Sequence, residues 1–119
     1  MRSLLLGLSM ALLNISLARA DQLTTGPVDA FGTASVCYLI NLGSTNVTVS
    51  SIGIYDETSL LPTISNTCSA TLRPGKTCRT VSSSPGVLVC RAVVSDKTNI
   101  RGDFQARAGS VTTAHQALR

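Results

Sequence analysis

Two cysteines set on either side of a Pro-Gly turn constrain this chain more than any other feature. Between Cys68 and Cys78 lie Leu72, Arg73, Pro74, Gly75 and Lys76. Pro74 and Gly75 take the second and third turn positions, where proline fixes φ and glycine accepts a positive φ, the signature of a type II turn. The turn folds Cys68 back toward Cys78 between two runs that read as extended chain. Four cysteines permit three pairings. The turn favours Cys68 with Cys78, which leaves Cys37 with Cys90. Gaps of 30, 9 and 11 residues separate the cysteines, unlike the close pairs that gather zinc. Disulfides are therefore expected, and no metal or other cofactor.

Residues 1–20 read as a cleaved signal peptide. Arg2 supplies a positive start, residues 4–13 form a short apolar run, and Ala18-Arg19-Ala20 fits the small-x-small cleavage rule. A membrane anchor needs about 20 apolar residues, and Asn14, Ser16 and Arg19 interrupt the run. The mature chain then begins at Asp21, is secreted or periplasmic, and carries no integral membrane segment. The oxidising compartment agrees with the cysteine pairing.

Ninety-nine of the 119 residues remain after cleavage, enough for one domain. Tryptophan is absent and the aromatics are Phe31, Tyr38, Tyr55 and Phe104, so the interior is thin and leans on cross-links. Arg2 and Arg19 leave with the leader, so eight of the ten basic residues remain against six acids. That weak surplus argues against nucleic acid, which calls for a clustered basic face.

Short β-rich runs alternate with turn signals along the rest of the chain. Residues 21–33 read as a lead-in with a short edge strand at most, and 34–109 as the domain proper. Residues 35–42 are nearly all apolar. Residues 47–55 change phase partway: Val47 and Val49 share one face, and Ile52 and Ile54 return to it only if Ser50-Ser51 holds a β-bulge. Residues 63–71 read as extended, 77–82 as a strand. In residues 87–95, Leu88, Cys90, Ala92 and Val94 line one wholly apolar face, the expected inward set. Residues 100–108 alternate, with Ile100, Gly102, Phe104, Ala106 and Ala108 opposite Arg101, Asp103, Gln105 and Arg107. Residues 110–119 read as a tail or a short edge strand. The sum is an all-β antiparallel sandwich held by two disulfides. One conflict stands. Cys37 shares its face with Ser35, Leu39 and Asn41, whereas Val36, Tyr38, Ile40 and Leu42 make the more apolar side.

Across residues 35–79, the motifs Asn41-x-Gly43-Ser44, Val47-Thr48-Val49-Ser50-Ser51-Ile52, Thr67-Cys68 and Leu72-x-Pro74-Gly75-x-Thr77-Cys78 carry a likeness. The segment resembles the immunoglobulin-like repeats of bacterial surface proteins, the choice-of-anchor modules related to the abnormal-spindle/Hydin type. The resemblance implies an immunoglobulin-like sandwich, a cystine across the Cys68–Cys78 hairpin and a place at the cell envelope. It brings no catalytic residues, and Cys37 and Cys90 lie outside its pattern.

No residue constellation points to catalysis, so the chain reads as a non-enzyme. A Ser-His-Asp system would need His115, the single histidine, in a tail expected to be mobile and solvated. Asp56 and Glu57 are neighbours on extended chain and point apart, as at a polar loop tip. Arg101-Gly102-Asp103 spells an integrin-binding tripeptide, but its alternating context places it in a strand with Gly102 on the buried side. Asn46-Val47-Thr48 is a glycosylation sequon, meaningful only in a eukaryote. The expectation is an exported binding module that contacts a protein or glycan at the cell surface through end loops. Loops 43–46, 56–62 and 73–76 supply the candidate contacts: Ser44, Asn46, Asp56, Glu57, Arg73 and Lys76, with Arg79 beside the last. The alternative is a self-assembling envelope subunit that adds an edge strand to a neighbour.

Overall fold

The computed structural model describes residues 20–119. The leader assigned to residues 1–20 lies, apart from Ala20, outside the described residues. Among the described residues ten strands follow one another: β1 (Asp21–Thr24), β2 (Val28–Ala30), β3 (Ala34–Asn41), β4 (Val47–Tyr55), β5 (Ser65–Asn66), β6 (Thr71–Leu72), β7 (Thr77–Ser82), β8 (Gly86–Val94), β9 (Ile100–Ala108) and β10 (Val111–Leu118). They build two antiparallel sheets. One runs β1-β8-β4-β6 with β2 also on β8, and the other runs β10-β9-β3-β7-β5.

Period-two patterning explains the two inner faces. Leu88, Cys90, Ala92 and Val94 of β8 are all fully buried, as are Phe104 and Ala106 of β9, with Ile100 close behind. The bulge expected in β4 is present. Its register on β8 shifts between Val49 and Ser51, so that Val49 faces Val94 while Ile52 and Ile54 face Ala92 and Cys90. One extra residue thus brings both apolar pairs to the same side. Gly75 has φ +72° at the β6–β7 turn, the conformation that the type II turn demands.

The structure joins Cys37 to Cys90 and Cys68 to Cys78, with Cα atoms 6.3 and 4.7 Å apart respectively. The first bridge crosses from β3 in one sheet to β8 in the other, and so resolves the conflict on β3. The face carrying Ser35, Cys37, Leu39 and Asn41 points inward, each residue at most 1% exposed. Register reinforces it, since Cys37 lies opposite Phe104 and Leu39 opposite Gly102. The more apolar side faces out and is screened in part, with the Arg107 guanidinium 5.7 Å from the centre of the Tyr38 ring. Two disulfides fit an oxidising setting, extracellular or periplasmic.

Two expectations need correction, and one open choice is decided. Residues 21–33 are not a lead-in: β1 pairs with Val94–Arg91 and β2 with Leu88–Gly86 along one edge of β8. Their break falls at Gly26-Pro27, where the missing proline N–H ends the ladder. Of the two readings of residues 110–119, the edge strand is the one that forms: β10 borders its sheet and pairs with β9 through a register shift near Thr113. Leu23, Val28, Ala30 and Leu118 all belong to the buried core, so the sandwich exceeds 34–109. The extended segment 63–71 shrinks to the two-residue strands β5 and β6, separated by the half-buried Cys68.

Chain entropy ranks the bridges. Closing 54 residues with Cys37–Cys90 is worth about 4.2 kcal/mol, and closing 11 with Cys68–Cys78 about 2.8 kcal/mol, both as upper figures. Against a total of about 5–15 kcal/mol, Cys37→Ala/Cys90→Ala is expected to leave a marginal fold, and Cys68→Ser/Cys78→Ser a weakened but cooperative one. Urea unfolding followed by circular dichroism checks the order; equal losses would contradict it. The hydroxyl of Ser35 is buried without a hydrogen-bond partner. Removing an unsatisfied group costs nothing in lost bonding, so Ser35→Ala should leave the midpoint of unfolding unchanged or raise it.

Candidate functional site

The loops of a sandwich gather at its two poles, and connectivity decides which loops share one. Asn41, at the end of β3, organises the first pole. Its side-chain amide donates to the carbonyls of Thr45 at 2.8 Å and Leu72 at 3.0 Å, while its Oδ1 accepts the amide of Gly43 at 2.9 Å. Its backbone completes the clamp, accepting from Gly75 at 2.7 Å and donating to Lys76 at 3.1 Å. A fully buried polar residue is thereby satisfied, and the 43–46 loop is tied to the β6–β7 turn. The β8–β9 turn joins the same pole, where Leu42 donates to Asn99 and Asp96 caps the amide and hydroxyl of Thr98.

Asn46, Arg73 and Lys76 consequently line one open groove of about 640 Å³, together with the hydroxyl residues Thr67, Thr71 and Thr77. Cys78 of the hairpin disulfide also borders it. Two exposed cations beside exposed hydroxyls suit a partner rich in oxygen and negative charge. Ser44 is exposed on the same pole but does not line the groove. Arg79 does not line it either. It lies on β7 opposite Tyr38, on the outer face of the second sheet.

Asp56 and Glu57 sit at the far pole. They follow β4, whose nine residues span roughly 27 Å at about 3.3 Å per residue. There they gather with Thr58 against Pro85, Gly86 and Val87. Asp56 Oδ1 accepts from the amide of Thr58 at 2.8 Å, its hydroxyl at 3.0 Å and the amide of Ser59 at 2.8 Å. These bonds, the Thr58 amide foremost, hold the Asp56 carboxyl below the usual carboxylate range. Apart from Arg79, the sequence-predicted residues therefore form two groups on opposite ends, and no single surface unites them.

A further polar group lies away from both poles. Along the outer face of the second sheet, His115 Nδ1 lies 3.4 Å from Asp103 Oδ1. Gln105 donates to Asp103 at 2.8 Å, and Arg107 donates to Gln105 at 3.0 and 3.1 Å. His115 is thus exposed, at 71%, but fixed on β10 and not in a mobile tail. Its neighbours were visible as the polar side of β9; its own register was not. Arg101-Gly102-Asp103 lies within β9 as expected. A Cβ on Gly102 would come 2.7 Å from the Tyr38 carbonyl, so glycine there serves the close pairing of β9 and β3.

The class these features define is a two-sheet β-sandwich with an inter-sheet cystine and a polar, cation-lined groove at one pole. Comparison with protein-family models found no match, and comparisons with curated proteins and with solved structures found none either.

Asn41→Ala is expected to cost about 1–3 kcal/mol, the loss of buried bonds to three backbone groups. Hydrogen exchange at Gly43 should quicken beyond what that global loss explains. Unchanged protection of Gly43 would show that the loop holds without the clamp.

Proposed function

We propose that this chain is a non-catalytic binding module, exported to the cell envelope, that contacts an acidic protein or glycan through the loops of its Asn41 pole. The observation that carries this is the convergence of Asn46, Arg73 and Lys76 on one groove also lined by hydroxyl residues. Such a surface offers charge-assisted donors to carboxylate, sulfate or phosphate, and neutral donors to sugar hydroxyls. The buried Asn41 clamp supports the reading, because preorganised loops lose less entropy on binding. The paired cysteines and the leader-like residues 1–20 support export. Two antiparallel sheets joined by a buried cystine accord with the immunoglobulin-like architecture inferred for residues 35–79.

Calorimetric titration of the disulfide-intact protein with a hexuronate polymer, poly-glutamate and neutral dextran tests it. Binding is expected for at least one acidic polymer and not for dextran, weakening as salt rises. Arg73→Glu/Lys76→Glu should weaken it at least tenfold, while Asp56→Lys/Glu57→Lys should leave it intact. Equal binding by wild type and the first variant would overturn the proposal. The second reading, assembly by edge-strand addition, has its own support: β10 forms the border of the second sheet and is exposed over Val111–Thr113 and His115–Ala117.

A further inference from the structure

The two poles differ in charge and in shape. Arg73, Lys76, Lys97, Arg101 and Arg119 stand at the Asn41 pole, where Asp21 Oδ2 accepts the Lys97 amide and Asp96 caps Thr98. Asp56 and Glu57 stand at the other. At the corner of the first pole where β1 meets β10, a second groove of about 500 Å³ opens. Leu23, Ile100 and Leu118, all core residues, form its floor, and Lys97, Arg101 and Arg119 its rim. Arg101 is held in place through its own chain, one guanidinium nitrogen donating to the carbonyls of Thr98 at 3.1 Å and Ile100 at 2.9 Å. Backbone bonds between Thr24 and Arg119 at 2.9 and 3.0 Å close the corner.

The opposite pole presents the complement. Phe31, in the β2–β3 loop, is 74% exposed, the most exposed of the large apolar side chains named in the described residues. Register fixes its surroundings. Ala30, beside it, pairs with Gly86, and Asp56 and Glu57 lie against Pro85–Val87. β8 thus stands between β2, which leads into Phe31, and β4, which leads into the two carboxylates, and all three side chains share this pole. An isolated exposed apolar residue needs no explanation. An exposed ring on the same pole as two acids, on a chain whose other pole holds an apolar floor rimmed by cations, has one.

We infer that the domain associates with itself head to tail, the Phe31 pole of one copy seating on the Leu23–Ile100–Leu118 groove of the next. The ring lies on the apolar floor, and Asp56 and Glu57 meet Lys97, Arg101 and Arg119. The contact joins two different surfaces, so it does not close on itself and extends copy by copy into a linear array. It uses a different groove from the one proposed for the acidic partner and goes beyond that reading.

Sedimentation of purified, disulfide-intact protein over a wide concentration range tests the inference. Wild type should gain mass with concentration and lose it as salt is raised. Phe31→Ser, Lys97→Glu/Arg101→Glu and Asp56→Lys/Glu57→Lys should each associate at least tenfold more weakly, with unchanged circular dichroism because Phe31, Glu57, Lys97 and Arg101 are exposed and Asp56 bonds only within its own turn. The two charge-reversed variants carry matched poles again when mixed. An equimolar mixture should therefore regain association that neither variant shows alone. A wild type that stays monomeric at every concentration overturns the inference, as does association indifferent to charge reversal. Association abolished by Ala114→Pro in β10 but retained by Phe31→Ser overturns it in favour of edge-strand pairing. Arg73→Glu/Lys76→Glu should leave self-association in place, which separates failure here from failure of the acidic-partner reading.

Discussion

One covalent link, Cys37 to Cys90, decides which way the second sheet faces. Hydrophobicity alone would turn β3 over, because Val36, Tyr38 and Ile40 outweigh Ser35, Cys37, Leu39 and Asn41. A strand has no intermediate choice, since a flip or a one-residue slip exchanges every side chain between core and solvent. The bridge, the packing of Cys37 against Phe104 and the buried bonds of Asn41 together outweigh the exposure of a half-buried Tyr38. The consequence is an interior unusually rich in small polar groups, with Ser35, Asn41, Thr80 and Ser82 all at most 1% exposed. Such groups contribute little apolar burial, at roughly 25 cal/mol per Å² of apolar surface. A domain with this interior needs its cross-links.

The same polar face does something an apolar one would not. Asn41 sits where β3 leaves the core, and its bonds reach two loops at once, so inter-sheet packing and loop geometry share one residue. The hairpin disulfide adds a second restraint from the other side of the groove, since Cys78 is both a groove border and a bridge partner. Strain or loss at either point passes directly to Arg73, Lys76 and Asn46. Stability and the proposed recognition surface are therefore coupled through a few short-range contacts, with no need for a longer path.

What the sequence disclosed and what it hid divide along physical lines. Strands β8 and β9 were legible because one face of each is dry and the other wet, which writes a period of two into the residues. The bulge at Ser50-Ser51 was legible for the same reason, as a break in that period. Strand β10 was obscure: only Leu118 is buried and Ala114 half-buried, so little alternation survives on an edge strand wetted on both faces. The half-strands β1 and β2 were hidden by their length and by Pro27. Candidate loop residues were found by composition, but their division between poles was not. Pole membership follows from strand direction and order, and a polar loop looks alike at either end. The outer-face row from His115 to Arg107 was half visible, because the β9 members alternate while the register of β10 is set by its bulge.

Charge segregation between poles is the one global property that no local motif carries. Antiparallel meanders place successive loops at alternate ends, so a chain that alternates acidic and basic loops acquires a polarity along the strand axis. Here the turns after β3, β6 and β8 share one end and bring Arg73, Lys76 and Lys97 there, joined by Arg101 from the start of β9. The turn after β4 carries Asp56 and Glu57 to the other. The six acids and eight bases of residues 21–119 nearly cancel, so the net charge conceals a dipole. Such a dipole orients an approaching partner before contact, whether an acidic surface or the acidic pole of an identical molecule. Both uses compete for the same field, and the two grooves on the basic pole, one lined by hydroxyls and one floored by apolar residues, give each kind of partner a different place to settle.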